Sequence, residues 1–228
     1  MEHFVVSARK YRPHSFDEVV GQEHIASTLE NAIEHNQLAQ AMLFCGPRGV
    51  GKTTCARILA REINRRTMPD ASPDEDFAFN IHELDAASNN SVEDIRTLID
   101  QVRFAPQTGK YKVYIIDEVH MLSQAAFNAF LKTLEEPPAH AIFILATTEK
   151  HKIIPTILSR CQIFDFKLIS VADIRGHLAR IAADQGIKAD EEALHIIAVK
   201  AEGALRDALS IFDRVVCFCG DTLTAEKV

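Results

Sequence analysis

The chain has 228 residues, of which 47% are hydrophobic and 25% charged, proportions that suit an ordinary globular protein able to bury a core without staples. Its formal net charge of −7 excludes a uniformly basic surface that grips nucleic acid, though not a local basic patch. No apolar run approaches the roughly 20 residues of a membrane span, and Met1–Lys10 lacks the apolar stretch of a signal peptide, so a cytoplasmic location is expected. The cysteines are Cys45, Cys55, Cys161, Cys217 and Cys219. Their odd number and the lack of a C-x-x-C pair speak against a disulfide framework or a zinc site. Reduced, mostly buried thiols are expected.

In chain order, Glu23 to Asn36 has helical spacing, with Ile25, Leu29, Ala32 and Ile33 on one stripe. Ala41-Met42-Leu43-Phe44-Cys45 reads as a buried parallel strand, and a helix is predicted from Lys52 to about Asn64. Asn64 to Asn80 is polar, holds Pro69 and Pro73, and carries the acidic run Asp74-Glu75-Asp76, which predicts a mobile surface excursion. Ile81 to Leu84 is the next predicted strand. Ser91 is a candidate cap, with Asp94 at the N3 position, for a helix whose stripe is Val92, Ile95, Leu98, Ile99 and Val102. Val113 to Ile116 is a strand, Ser123 to Glu136 a helix stopped by Pro137-Pro138, and Ala141 to Leu145 a further strand. This alternation predicts an α/β fold with a parallel sheet. Beyond about Lys167 the spacing is helical throughout, over Ser170 to Asp184, Asp190 to Ala201 and Leu205 to Cys217. A small all-helical second domain without strands is expected there.

Gly46-Pro47-Arg48-Gly49-Val50-Gly51-Lys52-Thr53 matches the phosphate-loop pattern G-x-x-x-x-G-K-[ST] at every position. The glycines let backbone N–H groups wrap a phosphate at the start of a helix, whose N-terminus favours anions. Lys52 is placed to reach the β- and γ-phosphates and Thr53 to offer its hydroxyl to Mg²⁺, with Thr54 behind it on the helix. Val113-Tyr114-Ile115-Ile116-Asp117-Glu118 has the form of a strand that ends in a metal-binding acid, Asp117, and a water-orienting base, Glu118. Paired acids alone would read as a solvated strand end; the phosphate loop upstream favours catalysis. Thr147 and Thr148 follow the strand that starts at Ala141, where a hydroxyl could meet a γ-phosphate or simply end the strand. Arg160 and Arg206 have nothing local to set them apart from surface arginines.

Ala8-Arg9-Lys10-Tyr11-Arg12-Pro13, Phe16 to His24, Leu84 to Ser88, Asp117 to Ser123, Leu131 to Pro138, Leu145 to Thr148, Ser159-Arg160-Cys161 and Leu205 to Leu209 together resemble the clamp-loader ATPases, and within them the gamma/tau subunits of bacterial DNA polymerase III. The resemblance covers nearly the whole chain. It implies an AAA+ core with a five-stranded parallel sheet over residues 1–167 and a helical lid over 168–228. It implies ATP hydrolysis with Mg²⁺ by a motor subunit of the replicative holoenzyme, partnered by further loader subunits, the sliding clamp and primer–template DNA. Tyr11, Arg12, Pro13, Val19 and Val20 would line the adenine and ribose pocket. Thr148, with Thr147, would be the first sensor. Arg160 would be an arginine finger for ATP on the neighbouring subunit, and Arg206, beside Leu205, the second sensor for the chain's own nucleotide.

Two departures stand out. Family members usually carry a four-cysteine zinc module after the phosphate-loop helix; Arg65 to Asn80 is shorter and holds no cysteine, so no zinc is expected. The family chain also continues into a collar domain that drives oligomerisation, whereas this sequence stops at Val228; a truncated or short member, monomeric on its own, is expected. Among rivals, Asp117-Glu118-Val119-His120 suggests a DExH helicase, but the helical segment after Lys167 is too short for a second motor domain. A non-hydrolysing stator is disfavoured because Lys52, Thr53, Asp117 and Glu118 are all present. A Holliday-junction motor is disfavoured by the signatures at Ala8 to Pro13 and Ser159 to Cys161. Asn128 and Lys132 share a helix face, open to DNA or simply to solvent.

Overall fold

A computed structural model describes residues 5–72, 75–220, 222–226 and 228. It divides into two compact units: Ser27–Gly46 with Lys52–Asp165, and Met1–Ala26 with Pro47–Gly51 and Phe166–Val228. Of the sequence features above, Met1 to Phe4 of the N-terminal stretch and Pro73 and Asp74 of the acidic excursion lie outside the described residues.

The larger unit is a parallel sheet of five strands, β1 (Ala41–Cys45), β2 (Ile81–Asp85), β3 (Lys112–Asp117), β4 (Ala141–Thr147) and β5 (Gln162–Asp165), in the order β2-β3-β4-β1-β5. Every residue of β1 and β4 is buried, as expected of central parallel strands covered on both faces. Helices α4 (Val92–Val102) and α5 (Gln124–Glu135) cover one face, where Ile95, Leu98, Phe127 and Phe130 meet Leu43, Tyr114, Phe143 and Leu145 in one apolar cluster. Register pairs Cys45 with Thr147 and with Asp165, and Asp85 with Asp117, so the C-terminal strand ends lie level, where ligands bind in such sheets.

Three expectations need correction here. The phosphate-loop helix α3 runs Lys52–Thr67, past Asn64, and the segment behind it is anchored rather than wholly superficial. Phe77 is 3% and Asn80 2% exposed, and the Asn80 amide donates to the carbonyls of Thr108 (2.8 Å) and Tyr111 (2.9 Å); burying one phenyl side chain stabilises by about 2 kcal/mol. Strand β5 was not recognisable, because Gln162-Ile163-Phe164-Asp165 is a short edge strand with one buried residue. And only Cys45 and Cys55 are buried; Cys217 is exposed, while Cys161 and Cys219 are half-buried.

The smaller unit contains α1 (Ser7–Lys10), α7 (Val171–Asp184), α8 (Glu191–Lys200) and α9 (Leu205–Cys219) around a core of Ile174, Leu178, Ile181, Ile197, Leu209 and Phe212. It is not purely helical: Lys188–Ala189 and Thr222–Leu223 pair in parallel as β6 and β7. Two residues each are too short to show a strand periodicity. Ser7 ties the N-terminal segment down, its amide donating to Asp213 Oδ2 at 2.8 Å. Helix α2 (Glu23–Glu34) follows.

Candidate functional site

In the larger unit, the candidate chemical residues gather at the C-terminal ends of β1, β3 and β4. Gly46 closes β1 with φ +149° and its N–H donates to the Thr147 carbonyl at 3.2 Å. Lys52, at the first turn of α3, is 6% exposed, and its Nζ donates to the Gly46 carbonyl at 2.8 Å. Burial pulls the Lys52 ammonium below its ordinary value, while Glu118 and Asp117 act in the opposite direction; those neighbours favour the charged form that a phosphate needs. The Thr53 hydroxyl donates to Asp117 Oδ2 at 2.6 Å, and Asp117 Oδ1 accepts the Glu118 N–H at 2.9 Å.

Glu118 is left-handed, at φ 48° and ψ 44°. A non-glycine residue held there stores roughly 1–3 kcal/mol, a strain typical of functional positions. Its carboxylate is fixed: Oε2 accepts the Thr148 hydroxyl at 3.0 Å and the Thr148 N–H at 3.3 Å. His120 Nδ1 lies 3.4 Å from the same oxygen and 3.0 Å from the Thr147 hydroxyl. Thr147 is fully buried, its hydroxyl meeting His120 and accepting the Glu149 N–H at 3.0 Å, whereas the Thr148 hydroxyl contacts the candidate base.

Arg160 follows the short helix α6 (Pro155–Leu158). It is not a free surface arginine: its guanidinium donates to Glu135 Oε1 at 2.5 Å and to the Thr156 carbonyl at 2.6 Å. Asn128 and Lys132 are both exposed on α5.

In the smaller unit, the middle of the phosphate loop meets the start of α9. Gly49 (φ +76°) accepts the Arg206 N–H at 3.3 Å, and a Cβ there would stand 3.2 Å from those of Ala204 and Arg206. Glycine is thus required both for the conformation and for the approach. Val50 is buried. Tyr11 and Val20 pack on the helical core, the Tyr11 hydroxyl donating to Asp184 Oδ2 at 2.5 Å; Val19 is buried, Pro13 half-buried and Arg12 exposed. Leu205 is half-buried and the Arg206 side chain exposed.

Three participants escaped sequence reasoning. The fully buried Gln22 donates to the Lys167 carbonyl at 2.6 Å and the Val50 carbonyl at 3.5 Å, bracing the loop from within Val19-Val20-Gly21-Gln22. His120 and Glu135 are the others. Each stands inside a quoted motif, but its role appears only with its partner.

Thr53 and Asp117 offer two hard oxygen donors side by side, and Lys52 a buried cation, so the set fits a Mg²⁺–phosphate group. No helix among the described residues is long and apolar enough to cross a membrane.

Two family models match the chain: "DNA polymerase III, delta subunit" over residues 21–170, and "DNA polymerase III clamp loader subunit, ATPase lid domain" over residues 173–221. Among curated relatives, the DNA polymerase III subunit tau of Bacillus subtilis is 51% identical over 96% of this chain and 40% of its own length. That of Escherichia coli is 47% identical over 93% of this chain and 35% of its own. The chain thus spans well under half of these relatives. Among solved structures, the Thermotoga maritima RuvB Holliday junction branch migration motor superposes with a TM-score of 0.74 at 24% identity, over 95% of this chain and 70% of that one; this likeness concerns the fold alone, a parallel α/β core with a largely helical C-terminal region. The phosphate loop, the Asp117–Glu118 strand end and both family matches converge: this chain belongs to the family of DNA polymerase III clamp-loader subunits.

Proposed function

We propose that the chain binds ATP with Mg²⁺ and hydrolyses it as a motor subunit of the DNA polymerase III clamp loader, so that the sliding clamp is loaded onto primed DNA in the bacterial cytoplasm. The observation that carries this reading is the connected set Lys52, Thr53, Asp117, Glu118 and Thr148 at level strand ends. Lys52 would hold the β- and γ-phosphates, and Thr53 and Asp117 the metal. The bound Mg²⁺ supplies neutralisation of phosphate charge. Glu118, held by Thr148 in a left-handed backbone, orients the attacking water and takes up its proton. Thr148 touches the base itself, which suits a sensor that moves the carboxylate when phosphate arrives.

The remaining roles follow the family. Gly46, Pro47, Arg48, Gly49, Val50, Gly51 and Thr54 cradle phosphate; Tyr11, Arg12, Pro13, Val19 and Val20 surround the base and ribose; Leu205 and Arg206 form the second sensor, a reading supported by the Arg206 contact with Gly49. Arg160 acts on ATP of the neighbouring subunit. Residues 1–167 serve as the ATPase core and 168–228 as the lid.

Steady-state ATPase activity of the chain, alone and then with the other loader subunits, clamp and primed DNA, tests this reading, with Lys52→Ala as the background. Little activity alone and stimulation on the order of 10³-fold in the mixture is expected when an arginine arrives in trans. High activity alone, indifferent to clamp and DNA, would overturn the clamp-loader role while leaving the phosphate loop standing. Nucleotide affinity unchanged in Lys52→Ala would overturn the site itself.

A further inference from the structure

Two successive peptides in the middle of the phosphate loop are held by their carbonyls. The Gly49 carbonyl accepts the Arg206 N–H at 3.3 Å, and the Val50 carbonyl accepts Gln22 Nε2 at 3.5 Å. Both peptides are trans, so each N–H points opposite to its carbonyl. The N–H groups of Val50 and Gly51 therefore face away from Arg206 and Gln22. Among the described residues, no backbone carbonyl accepts from either. Such donors seek a partner, and two in succession within a loop of this pattern suit an anion.

The Gln22 side chain is fixed for this contact. It is 0% exposed, and one residue grips both ends of its amide. Nε2 donates to the Lys167 carbonyl at 2.6 Å, and Oε1 accepts the Lys167 N–H at 3.3 Å. Turning the amide over would set its oxygen against the carbonyls of both Lys167 and Val50, so the partners dictate which end is which. The second Nε2 hydrogen is left for Val50. Gly21 (φ +71°) allows the close approach behind this, since a Cβ there would stand 2.7 Å from Ile169 Cγ2. At 3.5 Å the Val50 contact is long. An anion on the Gly51 N–H would polarise that peptide and strengthen its carbonyl as an acceptor, so phosphate binding is felt at Gln22 and, through it, at Lys167.

We propose that Gln22 is a positioning residue for phosphate binding, its amide holding the Val50 carbonyl outward so that the Gly51 N–H is aimed at phosphate; this rests on the ATP-binding reading above. The test titrates the parent and Gln22→Met, a side chain of similar length without the amide, with ATP and inorganic pyrophosphate, each with Mg²⁺, and with adenosine. Gln22→Met should bind ATP and pyrophosphate about tenfold or more weakly, the scale of one hydrogen bond to a charged group, and adenosine as the parent does. Equal affinity of the two chains for pyrophosphate, or a loss for adenosine as large as that for ATP, would overturn the proposal and leave the ATP-binding reading standing. A parent that binds neither ATP nor pyrophosphate would overturn both. A second measurement needs no variant: heteronuclear NMR of the parent during the pyrophosphate titration. The Gln22 side-chain amide and the Lys167 backbone amide should shift together with Gly51, and a Gly51 shift that leaves Gln22 unmoved would overturn the proposal.

Discussion

Lys52 and His177 are both bases taken out of water, and their neighbours decide what burial does. Lys52 has carboxylates nearby that resist the loss of its proton. His177, on α7, has the opposite company. It is 7% exposed, its Nδ1 accepts from Arg180 Nη2 at 2.8 Å, and burial, aided by that guanidinium, pushes its pKa down from 6.5 to about 4. The unfolded chain therefore takes up this proton first as pH falls. Stability from the neutral ring is complete above 6.5 and drains away as pH drops toward about 4. Thermal melting of the parent and of His177→Gln across that window checks this. The parent should lose melting temperature more steeply on acidification, and parallel curves for the two would show that His177 is not the acid-sensitive group.

Helix α4 carries a complete capping box. The Ser91 hydroxyl accepts the Asp94 N–H at 3.2 Å, and the Asp94 carboxylate accepts the Ser91 N–H at 3.2 Å. Replacing Ser91 by Ala removes one half of this exchange and should cost about 1 kcal/mol, a drop of roughly 2–4 °C in a chain this size. A melting temperature equal to the parent's would mean that α4 is held by Ile95, Leu98 and Val102 alone. That box was legible in the sequence because both its partners lie within one turn. The central strands β1, β3 and β4 were legible for a related reason, since burial on both faces leaves an unbroken apolar run. The phosphate loop could be read because its chemistry lies in backbone and spacing. What escaped depends on distant partners or on very short elements. Gln22 meets Lys167 across 145 positions, and Glu135 meets Arg160 across 25. Residues 65–80 look like solvent-facing chain until Phe77 and Asn80 are seen to be buried. Strand β5, with one buried residue, has too little pattern to show.

At the scale of the whole molecule, the question is what Arg160 does when this chain stands alone. Its side chain is 32% exposed and its guanidinium is occupied by Glu135 and the Thr156 carbonyl. An ion pair between two partly exposed groups is worth about 0–1 kcal/mol, less than the charge-assisted, bidentate contact a guanidinium makes with a phosphate. On the proposed in-trans role, the Glu135 contact would be a resting place that a neighbouring subunit's nucleotide outcompetes, with the side chain held back along α6 by the Thr156 carbonyl meanwhile. Arg160→Ala should then leave nucleotide affinity and the melting temperature of the isolated chain within error of the parent. In the assembled complex with clamp and primed DNA it should lower hydrolysis on the order of 10³-fold. A comparable loss in the isolated chain would mean that Arg160 serves its own nucleotide or its own fold, and the in-trans role would fall.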